Sequence, residues 1–189
     1  NESGVLPISI LTSPYPTWID EEGKTNKQNF SCKHNCYFCP NEIDKNGKMI
    51  MPRSYLTKEP ACSRALRNNF DPIKQINDRL LSYEKMGHPL DKCEIIVLGG
   101  TVLEYPRDYI KYFTTQLFYT CNIYPFIESR KMLSLEEEQN INTKAKIRII
   151  GYTLETRPDS ITDESIYFLR SLGVTRMQIG VQHTHNHLL

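Results

Sequence analysis

The chain has 189 residues, 39% of them hydrophobic and 24% charged, which is enough for one domain with a core of its own. Its formal net charge is +1, and no apolar run approaches the ~20 residues of a membrane-spanning helix, so a helical membrane protein is excluded. The start, Asn1-Glu2-Ser3-Gly4, lacks the basic and apolar stretches of a signal peptide, and the six cysteines, not patterned as a secreted scaffold, fit a reducing compartment; the cytoplasm is expected. The charge is unevenly spread: residues 24–85 hold twelve Lys and Arg against six Asp and Glu, a field suited to a phosphate-rich partner or to a merely solvated face.

Val5–Leu11 is a short apolar, β-branched run and predicts a first strand. A polar stretch with Pro14, Pro16 and Gly23 leads to Phe30-Ser-Cys32-Lys-His-Asn-Cys36-Tyr-Phe-Cys39-Pro40, a loop that a strand can present at its C-terminal end. The spacing of Cys32, Cys36 and Cys39 is C-x3-C-x2-C. Three such thiolates can ligate three irons of a [4Fe-4S] cubane and leave the fourth open to a small molecule. A disulfide would leave one of the three unpaired. A structural zinc site needs a fourth ligand, for which His34, or His183, His185 and His187 from the far end of the chain, are the candidates. A zinc-dependent nucleic-acid-binding module is the non-enzymatic alternative.

Asn46-Gly47, Pro52 and Pro60 interrupt residues 41–60. A helix is predicted from Pro60 to about Asn69, and another from Asp71-Pro72 to near Gly87, with Ile73, Ile76, Leu80 and Leu81 at helical spacing. Cys93–Leu98, closed by Gly99-Gly100, reads as a parallel strand covered on both faces. Pro106 opens a helix through about Asn122 with Tyr109, Ile110, Phe113, Leu117 and Phe118 on its buried stripe. Ser134-Leu-Glu-Glu137 fits a capping box for a helix ending near Lys146. Ile147–Thr153 is a third strand, Thr162-Asp-Glu-Ser165 starts a helix stopped by Gly173, and Met177–Val181 is a fourth strand.

Alternation of strand and helix implies an α/β fold, a parallel sheet with outer helices and right-handed crossovers. Four βα units predict a partial (β/α) barrel, in which chemistry sits at the C-terminal ends of the strands. The cysteine loop, Gly99-Gly100-Thr101, Glu155-Thr156-Arg157 and Gln182 each follow a strand in this reading. Gly99 and Gly100 let backbone approach a ligand, or simply form a tight turn. Glu155 and Arg157 can bind a cofactor or form an ion pair; Gln182 can donate to a cofactor or cap a strand. Cys62, Cys93 and Cys121 are expected to pack as small hydrophobes.

The segments Pro52-Arg-Ser-Tyr-Leu56, Glu59-Pro60, Arg64-Ala-Leu-Arg67, Phe70-Asp-Pro72, Gly87-His-Pro-Leu-Asp-Lys92, Leu98-Gly-Gly-Thr101, Leu154-Glu-Thr-Arg-Pro-Asp159 and Ile179-Gly-Val-Gln182 follow the cysteine motif through nearly the whole chain. In this order they resemble the catalytic subunit of Elongator, a radical S-adenosylmethionine family of tRNA uridine acetyltransferases. The resemblance implies that Cys32, Cys36 and Cys39 hold a [4Fe-4S] cluster whose open iron chelates S-adenosylmethionine. It places Gly99, Gly100, Thr101, Glu155, Arg157 and Gln182 around that cofactor, with Glu155 and Arg157 on its methionine or ribose part. It implies acetyl-CoA as carbon source for C5 of the wobble uridine, with Lys92 contacting acetyl-CoA, and Arg53, Arg64 and Arg67 near tRNA. Elongator-type subunits become expected partners, and the nucleus joins the cytoplasm as a location. A radical-SAM enzyme with a small-molecule substrate is the other enzymatic reading. Many family members space the first two cysteines more widely and continue Cys-Pro-Gly-Gly, where this chain has Cys39-Pro40-Asn41-Glu42.

The chain lacks an initiator methionine and stops at Leu188-Leu189. Residues 1–189 are therefore expected to be an incomplete radical-SAM domain, without the remaining barrel units and the family's acetyltransferase domain, and not competent alone.

Overall fold

The apolar run near the N-terminus folds as β1 (Leu6–Leu11), and the polar stretch after it carries a hairpin of β2 (Thr17–Ile19) and β3 (Thr25–Lys27). These are elements of a computed structural model that describes residues 4–34, 36–126 and 130–185. The hairpin turn is built by Asp20, whose Oδ1 accepts from the Glu22 and Lys24 amides at 3.1 and 2.9 Å, with Gly23 at φ +80°. No apolar alternation announces strands this short.

Two helices follow the irregular segment, α1 (Pro60–Arg67) and α2 (Pro72–Lys85). Proline opens each, where its missing N–H costs nothing, and the Asp71 carboxylate caps α2 through the Ile73 and Lys74 amides. The chain continues through β4 (Lys92–Leu98), α3 (Arg107–Ile123), α4 (Leu135–Asn142), β5 (Arg148–Thr156), α5 (Asp163–Ser171) and β6 (Arg176–Ile179). The predicted capping box is present at Ser134/Glu137, and the helix start expected at Thr162 proves to be a second one, Thr162/Ser165. α4 ends earlier than its sequence pattern suggests. The buried Asn142 amide donates to the Ile147 carbonyl while its oxygen accepts from the Ile149 amide, and this turns the chain into β5.

The sheet runs β1-β4-β5-β6, every pair parallel, so each crossover adds its strand on the same side. That is the strand order and direction of a (β/α) barrel wall. The described strands form an open sheet, so the expected barrel is matched in order but not in closure. No helix among the described residues is long and apolar enough to cross a membrane.

The main core lies on one face, where Ile8, Ile10, Ile95, Val97, Tyr152 and Leu154 meet Ile76 and Leu80 of α2 and Phe113 and Leu117 of α3; a smaller cluster of Leu11, Met51, Cys62 and Ala65, with Leu98 packed on it, covers the C-terminal end of the other. This corrects the expectation that β4 is covered on both faces along its length: Cys93, Ile95 and Val97 are buried while Glu94, Ile96 and Leu98 between them are half-buried. Glu94 explains the asymmetry. Its side chain lies across β5 at Gly151, where a Cβ would come within 3.0 Å of it, and reaches Thr153 Oγ1 at 3.1 Å and Arg176 Nη1 at 2.9 Å. A polar brace of this kind needs a face that water can reach. Cys62, Cys93 and Cys121 are buried as expected, and burial, followed by the Glu59 charge, pushes the Cys62 thiol up to about 12.

Candidate functional site

A cavity of about 320 Å³ opens at the C-terminal edge of the parallel sheet. Cys32, Cys36 and Cys39 line it together with Gly100 and Thr101 after β4, Glu155 and Thr156 at the end of β5, Arg157 after it, and Gly180 and Gln182 after β6. With Arg53, Ser54 and Tyr55, which also line it, five separate segments of sequence converge on one space. Gly99 stands just behind this lining. Its carbonyl accepts from the Tyr105 hydroxyl at 3.0 Å, and a Cβ there would fall 1.8 Å from Thr12 Oγ1. Gly100, at φ +85°, turns the backbone into the cavity wall in a conformation that costs glycine nothing.

All three thiols are free. Each meets a different polar partner. Cys32 Sγ lies 3.8 Å from Thr101 Oγ1, Cys39 Sγ lies 3.1 Å from Ser54 Oγ, and Arg157 Nη1 donates to Cys36 Sγ at 2.8 Å. Ser54 reaches its thiol from a left-handed backbone, φ +78°, a costly conformation for a residue with a side chain. Among the described residues no three His, Cys, Asp or Glu side chains converge as ligands of a single ion.

Arg157 is 6% exposed and two further donors go to Asp159, Nε to Oδ1 at 2.9 Å and Nη2 to Oδ2 at 2.7 Å. Hydrogen bonding between the two holds the guanidinium above and the carboxyl below its ordinary pKa. The ion pair of Arg157 is therefore with Asp159, not with Glu155. Glu155 is instead engaged by Tyr55, whose hydroxyl donates to Oε2. Burial raises the Glu155 pKa, and the Tyr55 hydrogen bond works against that shift. Sequence reading missed Tyr55, Ser54 and Asp159 as site residues. Each lies inside a block quoted for the resemblance, but nothing local marks a side chain whose partner is up to 100 residues away.

The remaining candidates divide. Arg53 lines the cavity and its amide donates to Ser31 Oγ at 3.0 Å. Arg64 and Arg67 stand in the last turn of α1, half-buried and exposed, and are not among the lining residues. Lys92 begins β4, seven residues of ~3.3 Å rise before the glycines and so about 20 Å from the cavity, with its ammonium 3.8 Å from Asp91. His183 tilts against Phe38 and His185; His187 lies outside the described residues.

No family model matches the chain. Individual relatives do. A tRNA uridine(34) acetyltransferase of Methanocaldococcus infernus is 37% identical over 188 residues, 99% of this chain and 31% of the relative. The protein of the same name in Methanocaldococcus jannaschii is 34% identical over 190 residues, again 99% and 31%. Elongator complex protein 3 of Drosophila melanogaster is 33% identical over 181 residues, 95% and 30%. The solved structure of archaeal Methanocaldococcus infernus Elp3 with an N-terminal deletion superposes with a TM-score of 0.64 at 28% identity, over 97% of this chain and 30% of that one. The chain thus spans about 31% of the length of the first of these curated relatives. With the ordered sequence blocks, the parallel sheet and these relatives in agreement, the chain is homologous over nearly its whole length to part of the tRNA uridine(34) acetyltransferases and Elongator complex protein 3.

Proposed function

We propose that this chain is the radical S-adenosylmethionine part of a tRNA-modifying acyltransferase, with Cys32, Cys36 and Cys39 holding a [4Fe-4S] cluster and acetyl-CoA supplying carbon to C5 of the wobble uridine. One observation carries the reading: three free thiols face one cavity at the C-terminal edge of a parallel sheet. The donor set fits the group. A cubane takes one thiolate per iron, which asks for sulfurs spread around a space, whereas a structural zinc gathers its four donors about one point. When bound, such a cluster supplies the electron that cleaves S-adenosylmethionine to methionine and a 5′-deoxyadenosyl radical.

The chain's own residues bind and orient. Gly100 and Thr101 present backbone to the cofactor's methionine end, and Glu155 offers Oε1 to an ammonium or hydroxyl group while Tyr55 fixes Oε2. Gln182 closes the opposite wall. Arg157 acts on the cysteine thiolate it touches, not directly on the cofactor. Arg64 and Arg67 extend the basic surface toward a phosphate backbone. Lys92 serves acetyl-CoA only if the coenzyme's long pantetheine arm bridges the length of β4. The names of the relatives support tRNA as substrate, and Elongator-type subunits as partners, for the protein at its full natural length.

Anaerobic reconstitution with iron and sulfide, then reduction in the presence of S-adenosylmethionine, tests the proposal; 5′-deoxyadenosine is the expected product. One zinc per chain with no iron or sulfide would decide for a zinc module instead. Tyr55→Phe is expected to weaken S-adenosylmethionine binding about tenfold, the worth of one orienting hydrogen bond, with iron content unchanged in equilibrium dialysis. Neutralising Arg64 and Arg67 together is expected to weaken tRNA binding and lower the slope of log affinity against log salt by about 2, read by filter binding across a salt series. Absence of any tRNA affinity in the wild type would point to a radical-SAM enzyme with a small-molecule substrate.

A further inference from the structure

The cysteine loop has little structure of its own. Among the described residues of the segment 31–40, one backbone hydrogen bond joins the loop to itself, from the Cys39 amide to the Cys36 carbonyl at 3.0 Å. Its shape must come from side chains that reach it from elsewhere. Most of these touch a cysteine or Ser31. Glu104 does something different: it holds two residues that lie between the first two cysteines.

Glu104 closes a 3-10 turn, Val102–Glu104, directly after the Gly99-Gly100-Thr101 segment, and its amide donates back to the Thr101 carbonyl at 3.0 Å. Its side chain is 8% exposed. Oε2 lies 2.8 Å from Lys33 Nζ, while Oε1 accepts from Ser160 Oγ at 3.0 Å and lies 3.3 Å from His34 Nε2. Ser160 ends another 3-10 turn, Pro158–Ser160, which follows β5. One carboxylate therefore laces three segments together: the cysteine loop, the turn after β4 and the turn after β5. Burial raises its pKa, but the hydrogen bonds from Lys33, Ser160 and His34 outweigh burial and keep it below the ordinary carboxylate value. A carboxylate with this many donors is held firmly, because breaking any one contact leaves a largely dehydrated charge less satisfied.

We propose that Glu104 is the positioning residue of the cysteine loop, holding Lys33 and His34 so that Cys32 and Cys36 keep the separation a multi-iron cluster requires. This rests on reading Cys32, Cys36 and Cys39 as cluster ligands. Among the described residues no backbone hydrogen bond closes a turn between Cys32 and Cys36, so the two flanking attachments, Thr101 to Cys32 and Arg157 to Cys36, need a fixed point between them. Glu104 supplies it.

The test compares wild type, Glu104→Ala and Glu104→Gln in the protein at its full natural length, reconstituted anaerobically, by the rate at which a chelator removes iron and by the unfolding midpoint of the iron-free protein. Glu104→Ala is expected to release iron about tenfold faster or more, the usual penalty for losing a group that orients metal ligands, and to do so at temperatures well below its own iron-free unfolding midpoint. Glu104→Gln, which still accepts from Ser160 but loses the ion pair, should fall between. Lys33→Ala with His34→Ala removes the same contacts from the loop side and should reproduce the fast release, adding nothing in the Glu104→Ala background; this also serves should Glu104→Ala fail to fold. Iron release at the wild-type rate in these variants, or full additivity of the two sets, overturns the role of Glu104 while leaving the cluster intact as a reading. A wild-type protein that retains no iron and sulfide overturns the cluster reading itself.

Discussion

Cys36→Ala is expected to reduce the iron and sulfide retained after anaerobic reconstitution to background and to abolish 5′-deoxyadenosine formation. Cys36 is the most enclosed of the three thiols, 8% exposed, and it is the one a buried guanidinium faces. Removing it takes away one of the three proposed iron ligands and also the acceptor of Arg157 Nη1. The second loss has its own signature, about 1–3 kcal/mol of stability for a buried donor left without a partner, visible as a lower unfolding midpoint in the absence of iron. Cys36→Ser separates the effects, since its hydroxyl still accepts from Arg157 but ligates iron poorly. Cys32→Ala and Cys39→Ala, whose partners are Thr101 and Ser54, should lose iron with little change in the iron-free midpoint. Iron retained by all three variants at the wild-type level would sink the assignment.

The next largest effect is expected for Arg157→Gln. The guanidinium sits against Cys36, one of the proposed cluster ligands, and is held there by two hydrogen bonds to Asp159. A cation beside a thiolate favours the reduced, more negative cluster, so its removal should move the midpoint potential down and slow S-adenosylmethionine cleavage by about 10- to 100-fold. Lysine is not a substitute: a point charge cannot face Asp159 with two donors and Cys36 with a third. Asp159 is 50% exposed and can rehydrate, so stability should change less than the potential does. A redox titration followed by electron paramagnetic resonance reads the shift; an unchanged potential would return Arg157 to a purely structural ion pair.

Much of this arrangement was legible in the chain. Periodicity located α2 and α3, and the capping box at Ser134 and the Thr162-Asp-Glu-Ser165 segment located the starts of α4 and α5, because these signals are local and physical. The open face of β4 was not legible. Cys93–Leu98 reads as continuous apolar sequence, but Glu94 takes its meaning from Gly151 and Arg176, 57 and 82 residues along the chain. The site divides in the same way. Three cysteines within eight residues declare themselves by spacing, and glycines after a strand declare a close approach. Tyr55 and Glu104 act by reaching to other segments around the cavity mouth, and no spacing rule encodes such a reach. Arg157 is expected from its place after a strand to bind a cofactor or form an ion pair; the contacts it makes, to Cys36 and Asp159, were not legible as a pair of partners.

The central claim is that three thiols leave one iron open for S-adenosylmethionine. Electron paramagnetic resonance of the reduced, reconstituted protein at its full natural length tests it most directly, with and without the cofactor. A [4Fe-4S]⁺ signal whose g-values shift on adding S-adenosylmethionine is the predicted result. A signal that does not respond to the cofactor, or a protein that carries zinc and no iron or sulfide, would contradict it.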